Sequence, residues 1–221
     1  MSFTRTNFDS ACKAYAQKYP SNHDDNSTHD ELLARYPSGW SWKEHKLVPG
    51  LGYLARLALY PTHTPKQLSS EDVLGEHLQQ AEADPAEASA APDVLTCRQY
   101  VVFSSTFQVP AFYFSMHHKT GAPLTLREIV ESPLFRAQTL PNTAMSTFAL
   151  DTPDSAFAML SQGDHPTLGT PCWCLHPCHT AEVVEEIIRE VGHAESDRNL
   201  RWLEAWVMVL SNLVNFGAIG R

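Results

Sequence analysis

Thr170-Pro171-Cys172-Trp173-Cys174-Leu175-His176-Pro177-Cys178-His179-Thr180-Ala181-Glu182-Val183-Val184-Glu185-Glu186-Ile187-Ile188 is the stretch around which the rest of the chain is organised. Cys172 to Leu175 reads as a short apolar strand. Glu182 to Val191 reads as an amphipathic helix with Val183, Val184, Ile187, Ile188 and Val191 on one face. Between them lies the corner His176-Pro177-Cys178. Pro177 holds His176 extended and removes a backbone donor, so the strand stops there. Cys178 is left at the mouth of a turn, one or two residues before a helix N-terminus, where free backbone N–H groups and the helix dipole favour a thiolate. A cysteine so placed is a candidate nucleophile. From placement alone, that reading stands level with a buried cysteine serving as a small hydrophobe.

Outward from the corner, Val94 to Phe107 and Val109 to Met116 read as strands, followed by turn chemistry at His118-Lys119-Thr120-Gly121. Thr125 and Glu128 form a capping box that opens a short helix through Ile129 and Val130. Earlier in the chain, Phe8, Cys12, Tyr15 and Tyr19 recur at helical spacing and Pro20 ends the pattern; residues 20 to 38 read as a polar loop. Trp40, Trp42 and Glu44 alternate as a half-buried strand, and Leu51 to Tyr60 is apolar except for Arg56, with Pro61 as its stop. Leu200 to Val214 is apolar nearly all round and predicts a helix buried on more than one side. Residues 65–93 are rich in Gln, Glu, Ala, Ser and Pro and predict a disordered insertion; residues 137–163 predict an irregular one. The whole predicts a single α+β domain over residues 1–221, an antiparallel sheet of about four strands with flanking helices and two insertions.

A chain of 221 residues with 43% hydrophobic content is long enough for a sizeable core. The formal charge of -9, without a basic cluster, excludes a nucleic-acid groove. Met1-Ser2-Phe3-Thr4-Arg5 leads into an amphipathic pattern with no apolar signal core, and the stretch from Trp202 to Gly220 is interrupted by Glu204, Ser211, Asn212 and Asn215, too polar for a membrane span. Five cysteines without framework spacing fit a reducing compartment, and the expected location is the cytoplasm.

Three chemistries compete for the corner. Cys172, Cys174, His176, Cys178 and His179 fall close enough to suggest a zinc knuckle, but strand alternation sends Cys172 and Cys174 to one face, and no distant second ligand pair follows. Core packing is the reading for those two cysteines, and no metal is expected. A cysteine protease needs a base oriented by a paired acid. His165, His176 and His179 leave a base open, but no motif supplies the acid. An acyl carrier needs only a thiol that holds an acyl group and releases it to an amine.

The motifs decide among them by resemblance. His176-Pro177-Cys178-His179-Thr180 resembles the H-P-C-x-T active-site signature of the autophagy ubiquitin-like-conjugating enzymes, and His165-Pro166-Thr167-Leu168-Gly169 is similar to that family's H-P-x-L-G approach segment. Phe107-Gln108-Val109-Pro110-Ala111-Phe112-Tyr113-Phe114 and Gly121-Ala122-Pro123-Leu124-Thr125-Leu126 resemble its strand and following helix start; the similarity spans roughly residues 97 to 191, with weaker echoes in Trp40-Ser41-Trp42 and Gly52-Tyr53. The resemblance implies a ubiquitin-conjugating-enzyme-like core and a Cys178 thioester. It further implies that the modifier Atg-twelve arrives from the activating enzyme Atg-seven and passes to a lysine of the acceptor Atg-five, with no cofactor. A sister carrier delivers its modifier to phosphatidylethanolamine, but its H-P-C-K-H-A motif is replaced here by H-P-C-H-T, and the N-terminal helix lacks a basic membrane-sensing face. A non-catalytic α+β interaction domain is the alternative from another class. The H-P-N triplet with which ubiquitin carriers hold the oxyanion is missing before Cys178. His176 or the Tyr113 hydroxyl is the expected substitute, for the oxyanion or for positioning the lysine. Thr180 is expected to cap the helix or to hydrogen-bond in its first turn, and Glu182, Glu185 and Glu186 to form a solvated face that suits its start.

Overall fold

Alternation along the second apolar stretch sets the architecture. In β2 (Tyr53–Pro61) the side chains of Leu54, Arg56, Ala58 and Tyr60 are buried while Leu57 is half exposed. A computed structural model describes residues 3–20, 37–45, 48–62, 94–136, 144–151, 157–177, 180–191 and 198–216. The predicted insertion at 65–93, most of the loop predicted for 20–38, and the candidate nucleophile Cys178 with its neighbour His179 lie outside the described residues.

One face of the sheet is the core side. β1 (Ser41–Lys43), β2, β3 (Val94–Ser104) and β4 (Val109–His117) form an antiparallel meander. β5 (Ala144–Met145), β6 (Ala149–Asp151), β7 (Leu160–Asp164) and β8 (Pro171–Leu175) form a second one. The two meet where β4 pairs with β8, so the sheet runs β1-β2-β3-β4-β8-β7-β6-β5. It has eight strands, not the predicted four or so. The added strands come largely from residues 144–164, inside the stretch predicted to be irregular. Their sequences explain the miss: Ala144–Met145 is two residues long, and Leu160-Ser161-Gln162-Gly163-Asp164 has one apolar side chain. No alternation announces such strands; backbone pairing makes them, β7 to β8, β6 to β7 and β5 to β6.

The helices stand where their patterns place them. α1 (Arg5–Lys18) is opened by a capping box at Thr4 and buries Phe8, Ala11, Cys12 and Tyr15. α2 (Leu126–Glu131) begins with the predicted Thr125–Glu128 box, the Thr125 amide donating to Glu128 Oε2 at 2.7 Å. α3 (Thr180–Val191) follows β8, and α4 (Arg198–Leu210) buries Trp202, Leu203, Ala205, Trp206, Val207 and Leu210. Among the described residues no helix is long and apolar enough to cross a membrane. α4 also buries Glu204, whose carboxylate accepts from Lys18 Nζ and from the Tyr19 hydroxyl, both at 2.8 Å. Those bonds answer the desolvation of the charge and lock α4 to the end of α1. The Phe3 ring stacks on Trp202 at 4.1 Å at the other end of the same contact.

The lone cation of β2 is inward, not solvated. Arg56 is 6% exposed, donates to the carbonyls of Ser38 and Phe216, and lies over the rings of Trp40 (5.3 Å) and Phe216 (5.6 Å). Burial lowers its pKa, and the two carbonyls and two ring faces replace part of the hydration that the guanidinium gives up. Gly52 is required by close approach: a Cβ there would run into the Trp42 indole.

Leu203 is fully buried at the centre of the α4 packing. Leu203→Ala is expected to lower unfolding free energy by about 2–5 kcal/mol, read as an earlier urea midpoint at an unchanged slope.

Candidate active site

The corner begins in the middle of the sheet. Register pairs Phe112 with Leu175, Tyr113 with Cys174 and Phe114 with Trp173, so β8 alternates as predicted: Trp173 and Leu175 join the main core, while Cys172 and Cys174 take the opposite face beside Tyr113, Ser161 and Gly163. β8 ends at Leu175. The His176 amide continues the pairing by donating to the Met159 carbonyl at 2.9 Å, and Pro177 is buried. Helix α3 begins at Thr180, two residues beyond Cys178 in sequence, and the Thr180 hydroxyl donates to the Pro177 carbonyl at 2.7 Å. That bond ties together the residues on either side of Cys178 and His179, the local first-turn bond expected of Thr180. Val184 of α3 is fully buried, with Ile187 and Ile188 packed against the core; this apolar stripe anchors the helix behind the corner.

The four described cysteines are all held as thiols. Burial pushes Cys12 well above its ordinary value, Cys97 up to about 12, Cys174 up to about 11, and Cys172 upward as well. Each is therefore a poor nucleophile at neutral pH. Tyr113, a sequence candidate for the oxyanion, is half-buried opposite Cys174, and its hydroxyl donates to that sulfur. Burial is the first cause of its raised pKa, so it remains a neutral donor. The other candidate, His176, lies parallel to Phe157 with ring centroids 4.6 Å apart and edge-on to Phe107 at 4.9 Å. The structure thus places the two candidates in different surroundings: Tyr113 beside Cys174, and His176 between two phenylalanine rings.

Sequence reading missed the role of His165. It is fully buried against the rings of Tyr53 (4.8 Å), Tyr100 (4.7 Å) and Tyr113 (5.8 Å). Its Nδ1 accepts the amides of Thr167 and Leu168, each at 3.1 Å, so the hydrogen-bond pattern assigns the proton of the neutral ring to Nε2. Its own carbonyl accepts the Gly169 amide at 2.8 Å, with Gly169 at φ 62, and its amide donates to Thr170 at 2.8 Å. One imidazole thereby holds the whole β7–β8 turn and delivers the chain into β8. The H-P-T-L-G string gives a turn signal, but the three tyrosines come from β2, β3 and β4 and carry no local mark. A groove of about 570 Å³, lined by Arg98, Tyr100, His117, Phe148, Thr170 and Cys172 among others, lies between the start of α2 and the start of β8. Its described lining does not include Leu175, His176 or Pro177.

Comparison with known proteins places these features in a family. The family described as "autophagocytosis associated protein, active-site domain" matches residues 7–218. Human "ubiquitin-like-conjugating enzyme ATG10" is 26% identical over 128 residues, covering 58% of this chain and 52% of that protein. Proteins of the same description from Arabidopsis thaliana (26% over 120 residues, 52% and 47% covered) and Dictyostelium discoideum (24% over 122 residues, 52% and 48% covered) are similar to the same extent. The chain spans about half the length of the curated relatives it matches.

Burial lowers the His165 pKa from 6.5 to about 4. Between those values the unfolded chain binds a proton that the folded chain refuses, so stability is complete above about 6.5 and is lost as pH falls toward 4. Urea unfolding at pH 5 should show about 2 kcal/mol less stability from this group than at pH 7.5. His165→Gln should remove that share of the pH dependence; an identical pH profile in the variant would contradict the assignment.

Proposed function

The chain belongs to the autophagocytosis-associated active-site domain family, and from that premise we propose that it is a ubiquitin-like-protein conjugating enzyme of autophagy, working in the cytoplasm, with Cys178 as the thioester nucleophile. The observation that carries the reading is the strand-corner-helix unit. β8 ends at Leu175, α3 begins at Thr180, Thr180 is bonded back to Pro177, and Cys178 is the cysteine that sequence places between them. A thiol two residues ahead of a helix N-terminus is where a thiolate is favoured. The other four cysteines are driven the opposite way by burial. The names of the relatives support the same activity.

In this reading the modifier is Atg-twelve, the activating enzyme Atg-seven and the acceptor a lysine of Atg-five. The Cys178 thiolate attacks the carbonyl of the modifier's C-terminal glycine, held as a thioester on the activating enzyme. The new sulfur–carbon bond forms as the activating enzyme's thiolate leaves. An uncharged lysine amine then attacks the same carbonyl, the Cys178 thiolate leaves, and the amine gives up its proton to yield an isopeptide. Neither step needs an oxidant or a cofactor. During the second step negative charge develops on the carbonyl oxygen, and donors aimed at it are worth ~10²-fold or more in rate. We assign that role, or the positioning of the lysine, to His176 and Tyr113.

Incubation with modifier, activating enzyme and ATP should shift the chain on a non-reducing gel, and thiol reductant should abolish the shift. Cys178→Ser should convert it to a reductant-resistant ester. No shift, with the activating enzyme shown to be charged, would sink the carrier reading. In single-turnover discharge, His176→Ala and Tyr113→Phe should load normally and release the modifier at least tenfold more slowly.

A further inference from the structure

Two aromatic side chains beside the corner have no role in the chemistry above. Phe107 lies in the turn between β3 and β4, which is tightened by the Gln108 amide donating to Ser104 at 2.8 Å and by Gln108 at φ 55. Phe157 lies between β6 and β7, and His176 just past the end of β8. Three distant segments thus bring three rings together: Phe157 parallel to His176 at 9°, Phe107 edge-on to His176 at 74°, and Phe107 to Phe157 at 6.5 Å. The two phenylalanines are nonetheless 39% and 55% exposed. Single exposed apolar residues are ordinary, but a packed group gathered from three segments is a contiguous apolar surface.

Its place identifies its occupant. Cys178 follows His176 by two residues, so their Cα atoms are at most about 7 Å apart whatever path the chain takes. An acyl group on the Cys178 sulfur is therefore tethered beside this surface, and the two outer rings lie within the reach of about four residues of extended chain. A tail ending in glycine is narrow at that end and offers peptide planes and Cα–H groups, which stack well on aromatic faces.

We infer that Phe107 and Phe157 are positioning residues that hold the extended C-terminal tail of the modifier against His176 while it is linked to Cys178. The inference rests on the carrier reading above. The rings touch the tail and not the reacting atoms. They fix the direction from which the lysine meets the carbonyl and limit the approach of water, which competes for the same thioester.

The test has two parts, both on the full chain. Wild type and Phe107→Ala/Phe157→Ala are charged, chased with acceptor, and the thioester lost to lysine conjugate is divided by that lost to free modifier. The ratio should fall about tenfold in the variant. Thermal midpoint and the rate of Cys178 alkylation by iodoacetamide should stay as in wild type, separating tail positioning from damage to the fold or the nucleophile. Independently, the ring carbon signals of Phe107 and Phe157 should move when Cys178→Ser carries the modifier as its stable ester. An unchanged ratio overturns the inference, as do ring signals that stay still in the ester or move only once acceptor is added. A wild-type chain that takes up no modifier refutes the carrier reading itself, and does so before any variant is compared.

Discussion

Three residue pairs between β4 and β8 carry the architecture: Phe112 with Leu175, Tyr113 with Cys174, and Phe114 with Trp173. Through them two antiparallel meanders become one eight-stranded sheet, and the strand that leads to the corner is flanked on both edges by paired backbone. A strand held on both sides has little freedom where it ends. The proline after His176 then prevents further pairing, so the chain must leave the sheet at a set place. Phe112, Phe114, Trp173 and Leu175 face the helices and add their burial to the same junction.

Burial on the two faces serves different ends. Between the sheet and the helices the buried polar side chains find partners for their charged or donor groups: Arg56 among carbonyls and rings, Glu204 of α4 between Lys18 and Tyr19, and Gln99 donating to the Tyr60 hydroxyl at 2.9 Å. On the opposite face Tyr53, Tyr100 and Tyr113 enclose His165, and Cys172 and Cys174 lie in line with them. That environment raises thiols and keeps imidazole neutral. The strand that leads to the corner therefore carries thiols, not thiolates, at neutral pH.

Periodicity and turn chemistry made much of this legible from sequence. The strand from Cys172 to Leu175, the helix behind the corner, the Thr125 capping box and the all-round apolar α4 each announce themselves within a few residues. The short strands β5 to β7 did not, because their pairing partners, and not their own side chains, decide them. His165 was visible as part of a motif but not as a buried hub, since its neighbours come from three other strands. Phe107 and Phe157 were invisible as a pair for the same reason: fifty residues apart in sequence, they become neighbours only through the sheet order. The corner was legible through its motif and local placement: the strand that ends at Leu175 and the helix that begins at Thr180 bracket the position where sequence puts Cys178.

The most direct test of the account is peptide mapping, by mass spectrometry under non-reducing acidic conditions, of the chain isolated in its charged state. The account predicts the C-terminal glycine remnant of the modifier on the peptide containing Cys178, with Cys12, Cys97, Cys172 and Cys174 unmodified. A remnant on Cys174 or Cys172 would contradict it, because the buried thiols of β8, and not the corner that follows them, would then carry the reaction.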